Sequence, residues 1–278
     1  MSCRCQLCGG ERDESFSGVL GAVERLGWGV VGVAGARFDI AHTVGLWHSS
    51  GVPEVAMFGL GGEDMLEWLG RCVRRGLDQG WPEAGVAFGG VIDGAETRLR
   101  VMDGSWFGGL FGAARHFYGE VVPVSQLVWP DDAGRWPWDD DAAADVRESQ
   151  PRGWAPVAEQ PAGSWRLIGE LGADYPFPVS PDALALTSRS IVDGARSPVL
   201  VARGEGLYDV LDERGYQAED LTLAHLGDIT TRHPGLTGAA YLGDDEAALV
   251  ADGTWTRVPR TPEQLEASVT AWQRVSTA

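Results

Sequence analysis

Residues 28–60, WGVVGVAGARFDIAHTVGLWHSSGVPEVAMFGL, decide the fold class. Three apolar runs follow one another here: Trp28–Val33, Phe38–Trp47 and Glu54–Leu60. Their lengths and β-branched content read as strands, and Ser-Ser-Gly-Val-Pro at 49–53 supplies the turn before the third. Upstream, Phe16, Val19, Leu20, Val23 and Leu26 recur at helical spacing within 13–26, with Asp13 or Ser15 as N-cap and Gly27 as the stop. Downstream, Met65, Leu66, Leu69, Cys72 and Val73 form the buried stripe of a helix over 63–77. Strands near 86–92 and 97–103, a helix near 110–118 and a strand over Val121–Trp129 follow. Consecutive strands with isolated helices argue for α+β rather than regular βαβ alternation.

Residues 139–163 change character. DDDAAADVRESQPRGWAPVAEQPAG is acidic, Ala-rich and Pro-rich, which is the composition of a linker. Beyond it, Leu184–Ser188, Pro198–Arg203, Leu207–Leu211, Ala239–Leu242 and Thr254–Val258 read as strands, Asp220–Asp228 is a leucine-bearing segment, and Pro262–Val275 reads as a terminal helix. The expectation is two α+β domains, 1–138 and 164–278, each a mixed or antiparallel sheet with a few packed helices.

Charge and composition exclude several chemistries. The chain carries 40 acids against 22 bases, a net charge of −18, and contains neither lysine nor asparagine. Schiff-base and P-loop lysine chemistry are therefore absent. Such a surface repels phosphate backbones and suits a basic protein partner, so no nucleic-acid partner is expected. No run is apolar enough to span a membrane and the first residues lack a signal-peptide core, so the expected location is the cytoplasm. Four cysteines in a reducing compartment are thiols or metal ligands.

Two constellations carry chemistry. Cys3-x-Cys5-x-x-Cys8 places three soft ligands in six residues, suited to Zn²⁺. A fourth ligand from Cys72, His42, His48 or His116 could arrive only through folding. On an extended strand His42 and His48 share a face but lie ~20 Å apart, so they meet on one ligand only if the chain turns at Gly45. The second constellation is the loop Gln126–Trp138, QLVWPDDAGRWPW. An Arg–Asp pair beside flat rings frames either an anion or planar-ligand pocket, or a seal at the sheet end. The candidate pocket residues are Thr43, Trp47, Gln126, Asp131, Arg135, Trp136 and Trp138. No nucleophile–base signature is present, which favours binding over catalysis.

The Cys-rich start, Gly27-Trp28, Thr43-Val44-Gly45-Leu46, Pro53-Glu54 and the 126–138 stretch together resemble the bacterial domain-of-unknown-function family 4262. His42 departs from the aromatic residue that family carries there. Residues 180–258, through Leu186-Thr187-Ser188, Ser197-Pro198-Val199, His233-Pro234-Gly235 and Trp255, resemble the immunity-protein-33-like family, domain of unknown function 2185. That resemblance implies a small α+β module of toxin-neutralising type. Two functional expectations follow: a binding protein of immunity type, steered to a basic toxin, or a small-molecule or cofactor-binding domain or enzyme with its pocket at the Trp-rich loop.

Overall fold

The structure is a computed structural model and describes residues 3–10, 12–163, 165–167, 175–204 and 206–275. It contains two six-stranded mixed sheets. The first holds β1 (Gly29–Val33), β2 (Ile40–Val44), β3 (Glu54–Phe58), β4 (Ala87–Phe88), β5 (Thr97–Val101) and β6 (Val124–Val128), in the order β1-β2-β3-β6-β5-β4. Only β3 and β6 run parallel in it. The second holds β7 (Leu184–Ser188), β8 (Leu200–Arg203), β9 (Tyr208–Leu211), β10 (Leu221–His225), β11 (Ala247–Ala251) and β12 (Thr254–Val258), in the order β10-β7-β9-β8-β11-β12, with β7 and β9 parallel. The α+β expectation is met in both halves.

Helices cover the sheets where the sequence supplies an apolar stripe. In chain order they are α1 (Gln6–Gly9), α2 (Ser17–Leu26), α3 (Leu46–Ser50), α4 (Gly62–Gln79), α5 (Phe107–Leu110), α6 (Gly112–Tyr118), α7 (Ala144–Ser149), α8 (Arg189–Val192), α9 (Leu226–Arg232) and α10 (Pro262–Val275). Met65, Leu69, Cys72 and Val73 of α4 pack on Val55, Met57, Leu99 and Leu127 at one face of the first sheet. On its other face, side chains of α2, α5 and α6 join Leu184, Leu186, Leu223 and Trp272 of the second half in one continuous core. The halves also meet through the backbone, where Ala34 N–H donates to the Leu223 carbonyl at 2.7 Å. Asp39 accepts two hydrogen bonds from Arg189 across the same boundary. No helix among the described residues is long and apolar enough to cross a membrane.

Three local expectations are corrected. The second strand stops at Val44, and Leu46–Ser50 is helical rather than extended. Of the residues expected as a strand at 239–242, Ala239 ends a 3-10 turn over Pro234–Ala239 and the others follow it, and the strand lies at Ala247–Ala251. Residues 139–163 lie along the first sheet as a strap. Gln150 pairs with both backbone groups of Trp129, at 3.1 and 2.9 Å, and Gln126 Oε1 accepts from Gly153 N–H at 3.1 Å. Gln160 does the same for Arg152, at 3.0 Å in each direction. These buried amides satisfy backbone groups that a loop would otherwise leave to water.

Candidate metal centre

The head brings its three thiols together by a single helical turn. Cys5 caps α1 and Cys8 lies one turn on, so their side chains share a face. Gly10, at φ +76°, ends the turn in the left-handed region. Gln6 docks the head by donating to the His116 carbonyl at 2.9 Å. Of the four candidate fourth ligands, folding selects His48. Its Nδ1 lies 3.3 Å from Cys5 Sγ and 3.5 Å from Cys8 Sγ. The ligand atoms of Cys3, Cys5, Cys8 and His48 all fall within 4.8 Å of one another. A tetrahedral Zn²⁺, with Zn–S ~2.3 Å and Zn–N ~2.0 Å, has S···S edges of ~3.8 Å and S···N edges of ~3.5 Å. The S···N distances from Cys5 and Cys8 already match. Burial, with the neighbouring thiols, pushes the Cys5 thiol up to about 12. A bound dication reverses that preference by stabilising thiolates, with release of protons.

The other candidate ligands are engaged elsewhere. His42 is fully buried in β2, with Nδ1 3.0 Å from the Thr43 carbonyl and its ring edge-on to Phe111. His116 Nε2 faces Asp13 Oδ2 at 2.9 Å. Cys72 sits within the α4 core, where burial pushes its thiol up to about 12.

His48 is positioned by a buried carboxylate that sequence reasoning did not single out. Glu54 is only 1 % exposed. Its Oε1 accepts from Gly45 N–H and Trp47 N–H, both at 3.0 Å, and from the Tyr118 hydroxyl. Its Oε2 accepts from the Thr43 hydroxyl at 2.5 Å, while Thr43 Oγ1 accepts from Val55 N–H at 2.8 Å. The carboxylate thus satisfies the free N–H groups that open α3. Gly45 sits at φ +108°, and a Cβ there would meet Val23 at 2.7 Å, so this turn requires glycine. Burial raises the Glu54 carboxyl above its ordinary range, against the opposing pull of its hydrogen bonds. The signal in the sequence was an acid directly after Pro53 at the mouth of an otherwise apolar strand.

The seven residues expected to frame one pocket are distributed over several places. Thr43 belongs to the Glu54 network, and Trp47 packs half-buried against the main core. Gln126 is fully buried beneath the strap. Asp131, Arg135 and Trp136 do line one cleft of about 960 Å³ with Trp68 and Trp129. Within it Asp131 ties its own loop: it accepts from Ala133 and Arg135 N–H, from Arg135 Nε at 2.8 Å and from Ala143 N–H at 3.1 Å. Trp138 instead lines a separate cleft of about 410 Å³ with Arg98, Arg100 and Trp154.

Comparison with known families adds one finding: residues 22–143 match the family described as domain of unknown function (DUF4262). The matched region contains the Glu54 network, His48 and the tryptophan loop, and begins after the cysteine head. It does not reach residues 180–258, and no family match supports the expected likeness of that segment to the immunity-protein-33-like family. Searches of the curated proteins and of the solved structures found no match.

Proposed function

We propose that this protein binds a structural zinc ion through Cys3, Cys5, Cys8 and His48, and that it acts by binding rather than catalysis. The observation that carries the reading is the convergence of three thiols and one imidazole within 4.8 Å, from two segments forty residues apart in sequence. Four protein ligands close a tetrahedral site and leave no open position for substrate, the pattern of structural rather than catalytic zinc. Thiolate-rich donor sets favour Zn²⁺ over the hard cations. Metal analysis after zinc-replete expression should give one equivalent per chain. Cobalt substitution should give the intense visible bands of a tetrahedral thiolate site, lost in Cys5→Ser and altered in His48→Ala. Absence of stoichiometric metal in the intact protein would refute the assignment.

The nature of a partner is a further proposal. Net charge of −18 supports a basic protein, of toxin type, as the species bound in the reducing cytoplasm. Binding assays against the basic products of neighbouring genes test it, and uniform failure to bind argues against it.

A further inference from the structure

Arg98 and Arg100 alternate along β5, so both side chains stand on the face opposite Thr97 and Leu99, which are buried. Three tryptophans from two other segments surround them. Arg98 stacks over Trp136 at 4.2 Å to the ring centroid, and Arg100 stacks over Trp154 at 3.8 Å and Trp138 at 5.0 Å. Trp136 and Trp138 are parallel at 5.4 Å, and Trp154 stands edge-on to Trp138.

The arrangement is built rather than incidental. Trp136 N–H donates to Asp139 at 2.8 Å, within the loop that Asp131 ties. Trp154 sits on the strap between Gly153, whose N–H donates to Gln126, and Ala155, whose carbonyl accepts from Trp106 at 2.8 Å. A Cβ at Gly153 would meet Gln126 Oε1 at 2.5 Å, so a side chain there would have to displace the amide that holds the strap.

Its electrostatics are uncompensated. In a chain with nearly twice as many acids as arginines, neither Arg98 nor Arg100 has a carboxylate within ion-pair distance among the described residues, and Arg98 Nε is buried without a partner. Burial and the neighbouring Arg98 both lower Arg100 from its ordinary value, the mark of two cations held together without an anion. Directly opposite Arg100 on β6, Gln126 is fully buried and its Nε2 donor is unpartnered. Stacking occupies the guanidinium faces and leaves their N–H edges, the geometry that grips a carboxylate or phosphate. The adjoining cleft, about 410 Å³ between Ala84-Gly85 and Trp138-Trp154, has room for a ring.

We propose that the Arg98–Arg100 face, walled by Trp138 and Trp154, binds a small ligand in which a flat ring carries a negatively charged group. The site is independent of the cysteine head. Two sources of that chemistry, a nucleotide and an aromatic acid, are separated by the probes AMP and 2-naphthoate, followed by tryptophan fluorescence and calorimetry on the full chain. At least one should bind saturably, with dissociation constant below about 1 mM. Adenosine and inorganic phosphate should each bind at least about tenfold more weakly than the better probe, because each lacks one half of the recognition. Arg100→Gln should weaken binding by about tenfold or more, and Arg100→Lys, which keeps the charge but loses the fork, should weaken it less. Unchanged metal content and near-ultraviolet dichroism in the variants exclude misfolding. The proposal is overturned if neither charged ring compound binds, if phosphate alone binds as well as AMP with no binding of 2-naphthoate, or if Arg100→Gln binds as the parent does.

Discussion

Replacing His42 by phenylalanine should flatten the acid dependence of stability by about 2 kcal/mol between pH 7 and pH 5. His42 is fully buried and its Nε2 has no partner among the described residues. Burial lowers its pKa from 6.5 to about 4. The sign follows from which state takes the proton. An unfolded chain protonates this histidine as pH falls through about 6.5, while the folded chain keeps it neutral until about 4, so stability is lost across that window. At pH 5 the unfolded side chain is almost wholly protonated and the native one about a tenth protonated, which gives a loss near 1.8 kcal/mol relative to pH 7. The value depends chiefly on the unfolded pKa and little on how far below 5 the native one lies. His225, lowered to about 3 by burial and by His42, adds a similar loss. Asp228, raised to about 6 by burial, works the other way and offsets roughly 1.3 kcal/mol over the same interval. Comparing parent and variant at each pH cancels Asp228, and it cancels His225 as long as burial, the largest of that residue's causes, keeps it neutral at pH 5 without His42. Any overpacking by the larger ring, on the order of 1–3 kcal/mol, is the same at both pH values and cancels too. The assay is urea unfolding at pH 5, 6 and 7, followed by tryptophan fluorescence. Parallel stability curves for parent and His42→Phe would mean that His42 takes up its proton in the folded state, and the burial argument would be wrong.

Two further substitutions probe the buried acids. Glu54→Ala strands the Thr43 and Tyr118 hydroxyls and the Gly45 and Trp47 N–H groups, and should destabilise by about 3–5 kcal/mol in urea unfolding while speeding metal loss to a chelator, because His48 rides on this turn; metal retention equal to the parent's would detach the carboxylate from any positioning role. Asp209 accepts from Tyr216, Arg260, Ser268 and Trp272, each at 2.7 Å, so Asp209→Ala leaves the 7 %-exposed Arg260 side chain unpaired and should cost about 3–5 kcal/mol, with α10 becoming the first site of limited proteolysis.

Periodicity made the long elements legible. The α4 stripe and the Leu184–Ser188 run are set by burial along one face, and burial is what an apolar pattern records. The turn at Gly45 was not legible because Thr-Val-Gly-Leu-Trp has the composition of a strand. What bends it is a carboxylate nine residues later, and no local propensity carries that information. The choice of His48 over His42, His116 or Cys72 was likewise a tertiary matter: all four are chemically suitable, His116 meets the head only through its backbone carbonyl, and the bend brings the His48 ring to the thiols. The tryptophan loop shows the same limit. Arg135 is the cation nearest to Trp136 and Trp138 in sequence, yet it is engaged by Asp131, and the rings stack on Arg98 and Arg100 instead. Strap residues 139–163 read as linker because their apolar content is low, whereas their anchoring is done by glutamine amides, which composition counts as merely polar.

The head itself offers the sharpest separation of metal from fold. Ordering residues 3–10 costs about 1–2 kcal/mol for each residue fixed, so on the order of 10 kcal/mol in all. Against this the head sets a small apolar contact, through Cys3, Cys5 and Leu7, and the Gln6 hydrogen bond. A structural zinc ion contributes ~10–16 kcal/mol in small thiolate sites, the same magnitude as the ordering cost. The first sheet does not depend on that sum, because Cys5 is the one head residue buried within a core that α2, α5, α6 and the strands otherwise supply. Chelation should therefore release the head and leave the sheets folded. The exposed Arg4, inside the cysteine motif, provides the readout. Trypsin should cut after Arg4 slowly in the metal-loaded protein and many-fold faster after chelation, with near-ultraviolet dichroism unchanged. Equal cleavage rates with and without chelator would show that the head is held by its packing alone and that the four ligand atoms converge for another reason.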